Sequence, residues 1–310
     1  MITTVFKKSN IISYVIGWIL LVAAVVLQTR SISPENPSIL NLKPTVFLFL
    51  LTLCMFLIDI IVKQQKWADK SSYHLFLFPL FVSSIPLQQA HNLSVAGFFF
   101  FFLGITFFLS EINTKNNHKQ VFDASFLMCF SVLFFPELIL FYPFLWIFML
   151  FHGKFSFSVV FISLLPAVSI YLLDEVVRFF FPITQLIPTF DLSNLEFSSM
   201  LHPEFSSNLW WIILVLLFLI SFVVQMLGLK ANSANYRSGI FSVYLLGASS
   251  LIFALMLNKS LPNAWLFFCI ILAAFSTRIF EKIKSLWLVD LILIGIALAL
   301  PLELIEKLFF

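Results

Sequence analysis

Residues 134–154 read FFPELILFYPFLWIFMLFHGK, and this stretch decides the topology of everything that follows it. It lies in an apolar run, residues 121–152, interrupted by Pro136, Glu137 and Pro143. A single helix of that length would be about 48 Å long, whereas the hydrocarbon core of a bilayer is about 30 Å thick. Both prolines disrupt helical hydrogen bonding. We therefore predict two short helices, 121–136 and 138–152, with an outer turn at Pro136-Glu137.

The composition places the chain in lipid. Its 310 residues are 61% hydrophobic and only 11% charged, and 42 of them are phenylalanine. In soluble globular domains, roughly a quarter of the residues are charged. Apolar runs recur from end to end, and too little polar sequence remains to cover a soluble core. The predicted fold class is an all-α, polytopic membrane protein, with residues 1–310 forming a single transmembrane domain.

The apolar runs and their polar breaks predict about eleven spans, within a range of nine to eleven. Lys7 and Lys8 precede the first run as in a secretory signal, but residues 28–30 do not resemble a small-residue cleavage site, so this run is predicted to be retained. The predicted spans are 11–28, 45–62, 73–88, 93–110, 121–136, 138–152, 155–173, 209–228, 240–257, 263–277 and 286–302.

The distribution of basic residues supports the hairpin. With two helices in 121–152 and a cytoplasmic N-terminus, 13 of the 18 Lys and Arg residues fall on the cytoplasmic side. With one helix, the later loops change sides and the split falls to 10 against 8. Because cytoplasmic loops are enriched in Lys and Arg, the two-helix topology is favoured. It places Met1 in the cytoplasm and Phe310 on the opposite side.

A long segment on the outer face, about residues 174–208, carries too many apolar residues for a solvated loop. Asp191 is suited to cap a short helix that ends before Pro203. An amphipathic segment lying on the outer leaflet is therefore predicted. The residues of this loop that we expect to contact a protein partner are Arg178, Phe190, Leu195 and Phe197.

Three acidic residues lie inside predicted spans, where ionisable groups are costly and often functional. Asp123 lies in the first turn of its span, where an acid complements the helix dipole. Asp59 has Lys63 four residues later, the helical spacing for an ion pair near the cytoplasmic edge. Asp290 lies roughly 6–7 Å inside the last span. It is predicted to be shielded from water and bonded to a polar group of another helix; a proton-linked or substrate-linked role is the alternative.

The outer face collects the acids that would suit catalysis. Asp174, Glu175 and Glu137 are the catalytic candidates, since a membrane glycosyltransferase needs an outer-face acid to bind a metal or to act as a base toward a polyprenyl-linked donor. Against this, such enzymes usually have a long first outer loop, whereas the first outer loop predicted here, residues 29–44, is short. The chain also lacks Walker, GxSxG, HExxH and Rossmann motifs.

No metal, cofactor or nucleic acid is expected. The three cysteines lie singly in apolar runs and the five histidines are scattered, which disfavours a zinc site or a disulfide framework. The net charge is only +3, without a basic block, so nucleic acid is not an expected partner.

Three segments together resemble a family of uncharacterised Bacteroidota inner-membrane proteins: MITTVFKKSN at the start, VFDASFLMCF at 121–130 and RIFEKIKSLWL at 278–288. Members of that family begin M-I-T-[ST]-x-F-x-K-S, are rich in Phe, Leu and Ile, and are about as long as this chain. The resemblance implies a location in the bacterial inner membrane and implies no activity.

Three functions remain open. The first is a non-catalytic subunit or scaffold of a cell-envelope assembly complex, with membrane lipid and inner-membrane or periplasmic proteins as partners. The second is a glycosyltransferase or polymerase-like enzyme that uses a polyprenyl-linked sugar at the periplasmic face, based on the outer-face acids. The third is a transporter, based on Asp290 and the many short spans. We lean toward the first, which is not an enzyme.

Overall fold

The computed structural model describes residues 2–32, 42–64, 71–85, 92–111, 117–153, 155–180, 210–228, 234–256, 262–283 and 285–299. All regular secondary structure in these ranges is helical. The helices are α1 (Ile2–Phe6), α2 (Ile11–Ile32), α3 (Leu42–Gln64), α4 (Tyr73–Ser83), α5 (Asn92–Glu111), α6 (Asn117–Val132), a 3-10 helix (Pro136–Phe141), α7 (Pro143–Phe151), α8 (Phe157–Phe180), α9 (Trp210–Gly228), α10 (Ala234–Met256), α11 (Pro262–Lys282) and α12 (Leu286–Ala299).

Three of the described helices are long and apolar enough to cross a membrane. These stretches are Pro44–Gln64 in α3, Phe157–Phe180 in α8 and Asn263–Lys282 in α11. Further apolar helical stretches are shorter, such as Tyr73–Ser83 and Leu286–Leu298. The all-helical class and the membrane-protein composition predicted from the sequence are thus confirmed.

The chain divides into two compact units. The first unit comprises Met1–Ala90, Asn194–Ala231 and Gly247–Phe310. The second comprises His91–Ser193 and Asn232–Leu246.

In the first unit, α11 is the central helix, since 94% of its apolar stretch is buried. It packs against α3, α4 and α9, and α2 packs against α3 and α4. Gly17 explains how closely α2 approaches α4: a Cβ at this position would lie only 2.6 Å from the carbonyl oxygen of Leu75. Only a residue without a side chain permits this approach.

In the second unit, residues 117–151 form a hairpin on α5. Helix α6 runs antiparallel to α5, because Gly97 lies against Ser131 and Gly104, further along α5, lies against the earlier residue Ala124. From Phe135 onward the chain runs parallel to α5. The ring pairs that show this are Phe98 with Phe135 (5.3 Å between centroids), Phe101 with Phe141 (6.1 Å) and Phe108 with Phe148 (6.1 Å).

The chain therefore reverses between α6 and α7, and a single helix over 121–152 is excluded. The second arm differs from the regular helix predicted over 138–152. It begins as the 3-10 helix Pro136–Phe141 and becomes α-helical only from Pro143. Each proline occupies the start of its own helical piece, where the missing N–H group is not needed.

Helix α8 extends beyond the span predicted over 155–173 and includes residues 174–180, which the sequence analysis placed in the outer loop. Apolar residues continue to Phe180, and Arg178 pairs with Asp174 one helical turn earlier. Both features favour continuation of the helix. Phe190, Leu195, Phe197 and the rest of the predicted loop lie outside the described residues.

Candidate functional site

Among the described residues of the first unit, the carboxylate of Asp59, on α3, joins side chains from three helices. Its Oδ2 accepts hydrogen bonds from the Tyr14 hydroxyl at 2.6 Å and from Lys63 Nζ at 2.8 Å. Its Oδ1 lies 3.0 Å from Nε2 of His74. Lys63 Nζ also donates to the Tyr14 hydroxyl at 2.6 Å. These four residues, called here the Asp59 network, join α2, α3 and α4.

The network is buried at one end and reaches the surface at the other. His74 has no exposed surface and Asp59 is 6% exposed, whereas nearly half of the Lys63 side chain is accessible. An ionised carboxylate only accepts hydrogen bonds, so Nε2 of His74 carries the proton toward Asp59. His74 Nδ1 then presents a lone pair, and it has no hydrogen-bond partner among the described residues.

Local sequence explains why the four side chains meet. Asp59 and Lys63 are four residues apart on α3 and share one face of the helix. Tyr14 precedes Gly17 by about one turn of α2, and its hydroxyl reaches Asp59 on α3. The ion pair with Lys63 is the arrangement that the sequence spacing predicts.

A second polar contact ties the beginning of the described chain to its last helix. Asp290 Oδ1, on α12, accepts a hydrogen bond from the backbone N–H of Thr3 at 2.8 Å. Asp290 is 8% exposed, and its partner belongs to another helix, α1. Phe6 anchors the other end of α1: its carbonyl oxygen accepts the Ser72 N–H at 2.8 Å, and its ring packs on Phe76.

The three acids that the sequence predicts for the outer face lie in the second unit. Asp174 is 1% exposed and forms a 2.8 Å ion pair with Arg178, while Glu175, largely exposed, is 3.9 Å from the same guanidinium. Arg178, predicted to contact a partner from a loop, lies in α8 and not in a loop, and its guanidinium is engaged in these pairs. Glu137 occupies the first turn of the 3-10 helix; it is half-buried, and its Oε2 has no hydrogen-bond partner among the described residues.

Sequence reasoning missed Tyr14 and His74, although a signal was present. Both are polar groups in otherwise apolar helices, in the segments IISYVIGW and YHLFLFPLF. Tyr14, Asp59 and His74 lie near the ends of three consecutive predicted spans that share the cytoplasmic edge. Comparing their depths would have placed them at the same level.

The chemistry open to the Asp59 network is proton binding and helix cross-linking. Both carboxylate oxygens of Asp59 are engaged, Oδ2 by Tyr14 and Lys63 and Oδ1 by His74. Within the described ranges, no group of three or more His, Cys, Asp or Glu side chains is placed to hold a metal ion.

No curated protein and no solved structure matches the chain. One family model, described as "Family of unknown function (DUF6427)", matches residues 1–308. The resemblance to an uncharacterised family is thus confirmed over nearly the whole sequence. The chain is a member of the DUF6427 family.

Proposed function

We propose that this chain is a non-catalytic scaffold subunit of a cell-envelope assembly complex in a bacterial inner membrane. In this proposal it crosses the membrane about eleven times, with a cytoplasmic N-terminus and a periplasmic C-terminus, as the basic residues and the positive-inside rule favour. Residues 136–137 then lie at the periplasmic surface of the inner membrane.

The observation that carries the proposal is how the three buried carboxylates of Asp59, Asp174 and Asp290 are used. Asp59 is bound by Tyr14, Lys63 and His74, Asp174 by Arg178, and Asp290 by the N–H of Thr3. A catalytic carboxylate must face its substrate. These three carboxylates face groups of the same chain. Those of Asp59 and Asp290 join different helices, whereas that of Asp174 pairs within α8, and this use favours a structural role.

Helix α8 supplies a surface for a partner. One stripe of α8, here called the α8 stripe, is exposed at helical spacing and includes Phe161 (69% exposed), Leu165 (54%) and Val168 (53%). The opposite face, with Val159, Ser163 and Ile170, is buried. Only 28% of the apolar stretch of α8 is covered, against 94% for α11. A transmembrane helix of a second protein fits such a stripe.

Site-specific photocrosslinking in cells tests this assignment. A photoreactive amino acid replacing Phe161, Leu165 or Val168 should yield a discrete adduct with another protein. The same amino acid at Val159 or Ile170, on the buried face, is the matched control and should give adducts within the chain. Adducts with lipid alone from every position of the α8 stripe would contradict the partner surface.

A transporter is the second candidate, and the contact between His74 and Asp59 is the observation that favours it. A buried histidine beside a carboxylate can carry a proton, and intramembrane groups of this kind serve proton-coupled transport. In that case Asp59→Asn would abolish function at a normal protein level. In the scaffold account, Asp59→Asn reduces function only as far as it reduces the amount of folded protein.

A further inference from the structure

Helices α9 and α11 run side by side in the first unit with a clear register. The rings of Phe218 and Phe268 are 5.6 Å apart between centroids. One turn further along α9, the Ser221 hydroxyl donates to the carbonyl of Phe275, which lies about two turns beyond Phe268 on α11, at 3.0 Å. At the end of α11, Lys282 Nζ donates to the carbonyl of Val224 at 2.5 Å. Residue numbers rise together, so the two helices are parallel.

The same register places three polar residues together where the helix pair ends. On α9 the buried stripe Leu214, Phe218 and Ser221 continues, at the spacing of one helical turn, to Gln225. On α11 the facing stripe runs through Phe268, Ile271 and Phe275 and continues to Arg278 and Lys282. Gln225 thus faces the two cations, across the groove between α9 and α11.

Gln225 is the anomalous member of this group. It is 2% exposed, and neither its Oε1 nor its Nε2 has a hydrogen-bond partner among the described residues. A buried amide without partners costs about 1–3 kcal/mol, and buried polar groups in native proteins are normally satisfied. A ligand that accepts a hydrogen bond from Nε2 of Gln225 would remove the part of this cost that comes from the unpaired donor.

The charges beside Gln225 define the ligand as an anion. Arg278 and Lys282 are one turn apart on α11 and carry the same charge, so an anion between them would reduce their repulsion. The neighbouring acid, Glu281, points elsewhere: its Oε1 lies 3.2 Å from the backbone N of Ser71. A phosphate oxygen matches a guanidinium, an ammonium and an amide N–H at once.

We propose that Gln225, Arg278 and Lys282 form a binding site for a phosphate group. In the proposed topology the site lies at the cytoplasmic membrane surface, where the phosphate belongs to an anionic phospholipid headgroup or to a soluble phosphate. The site does not depend on the scaffold role, because it requires only that the first unit is folded in a membrane.

The test uses the purified full-length chain in nanodiscs. Its thermal unfolding is measured in phosphatidylcholine alone, in a phosphatidylcholine–phosphatidylglycerol mixture, and in phosphatidylcholine with inorganic phosphate in solution. Stabilisation by phosphatidylglycerol assigns the site to a lipid headgroup, and stabilisation by inorganic phosphate assigns it to a soluble ligand. Native mass spectrometry of the detergent-solubilised chain counts the retained phosphatidylglycerol.

Two variants localise the effect. Gln225→Leu removes the amide, and Lys282→Gln removes a charge while keeping a donor for the Val224 carbonyl; each should weaken phosphate binding about tenfold. Gln64→Leu, which removes an exposed amide at the end of α3, is the matched control and should bind as the unmodified chain does. A chain that neither ligand stabilises, or a Gln225→Leu variant that responds as fully as the unmodified chain, would overturn the proposal.

Discussion

Asp59 shows how a single buried carboxylate can determine the arrangement of several helices. Its side chain is held by donors from α2, α3 and α4, of which His74 is fully buried and Lys63 extends toward solvent. A buried ion pair is weak evidence for added stability, because its desolvation cost offsets much of its attraction. Its effect on specificity is greater, since a slip of one helix would leave a buried charge unpaired.

Replacing Asp59 with Leu should lower the free energy of unfolding by about 3 kcal/mol, near the lower end for a broken buried ion pair because Lys63 can still reach water. Asp59→Asn should cost less, since the amide oxygen still accepts one hydrogen bond. Thermal unfolding in detergent measures both. Asp123→Leu, on α6, is the control, and an equal loss from that substitution would show that Asp59 has no special place in the fold.

Asp290 is expected to act through its hydrogen bond to α1. Asp290→Asn keeps an oxygen for the Thr3 N–H and should change stability little, whereas Asp290→Leu leaves that buried N–H unpaired and should cost about 1–3 kcal/mol. Thr3→Pro removes the same N–H from the other side, and proline is tolerated in the first turn of a helix. Thr3→Ala keeps the N–H and is its control. A complete loss of function in Asp290→Asn, at normal protein level, would instead indicate a titrating role.

At the scale of helices, two close approaches shape the units. Gly17 lets α2 touch the backbone of α4, and Gly104 lets α5 touch α6, where an added Cβ would lie 2.9 Å from the Ala124 carbonyl oxygen. Such contacts between small residues are a usual way to pack helices in lipid, where no hydrophobic force drives helices together. In the first unit, α2 also carries Tyr14, whose hydroxyl bonds to Asp59 on α3.

Gly17→Ala should therefore cost about 1–3 kcal/mol and disturb the Asp59 network, because a backbone oxygen cannot move aside as a side chain can. Gly295→Ala is the matched control: no atom lies within 4 Å of an added Cβ there. That substitution should be neutral or stabilise α12 by up to about 1 kcal/mol. Thermal unfolding of the two variants distinguishes them, and equal melting temperatures would contradict the close approach.

The hairpin makes a topological prediction. A single cysteine replacing Glu137, in a chain without Cys54, Cys129 and Cys269, should react with a membrane-impermeant maleimide once the outer membrane is permeabilised. A cysteine replacing His152, at the far end of the second arm, should react only after the inner membrane is opened. The reverse labelling pattern would contradict the predicted topology, because every loop after residue 152 would then lie on the opposite side of the membrane.

The prolines, the length of the apolar run and the basic residues predicted this hairpin, because each is a local or additive property of the sequence. The sequence did not reveal that its second arm starts as a 3-10 helix or that α8 continues to Phe180. The continuation of α8 had a local signal that was missed, since Asp174 and Arg178 are four residues apart, the helical spacing for an ion pair. The 3-10 start depends on ring packing against α5, which forms only in the folded chain. Thr3 as the partner of Asp290 was likewise beyond prediction, since the two residues are nearly the whole chain apart.

At the scale of the whole molecule, the two units use their polar groups inward and leave apolar surface outward. In the described helices, α11 is nearly enclosed while α8 presents an uncovered stripe. In a membrane such a stripe is covered by lipid or by another protein, and helix association there depends on close packing. The scaffold proposal assigns the α8 stripe to a partner protein.

Affinity purification of the full-length chain in mild detergent tests that proposal most directly. The account predicts that a second membrane protein elutes in stoichiometric amount. It also predicts that Leu165→Trp on the α8 stripe releases this partner, while Leu291→Trp, at an exposed position of α12, retains it. A chain that elutes without any stoichiometric partner, or a partner that remains bound to Leu165→Trp as fully as to Leu291→Trp, would contradict the account.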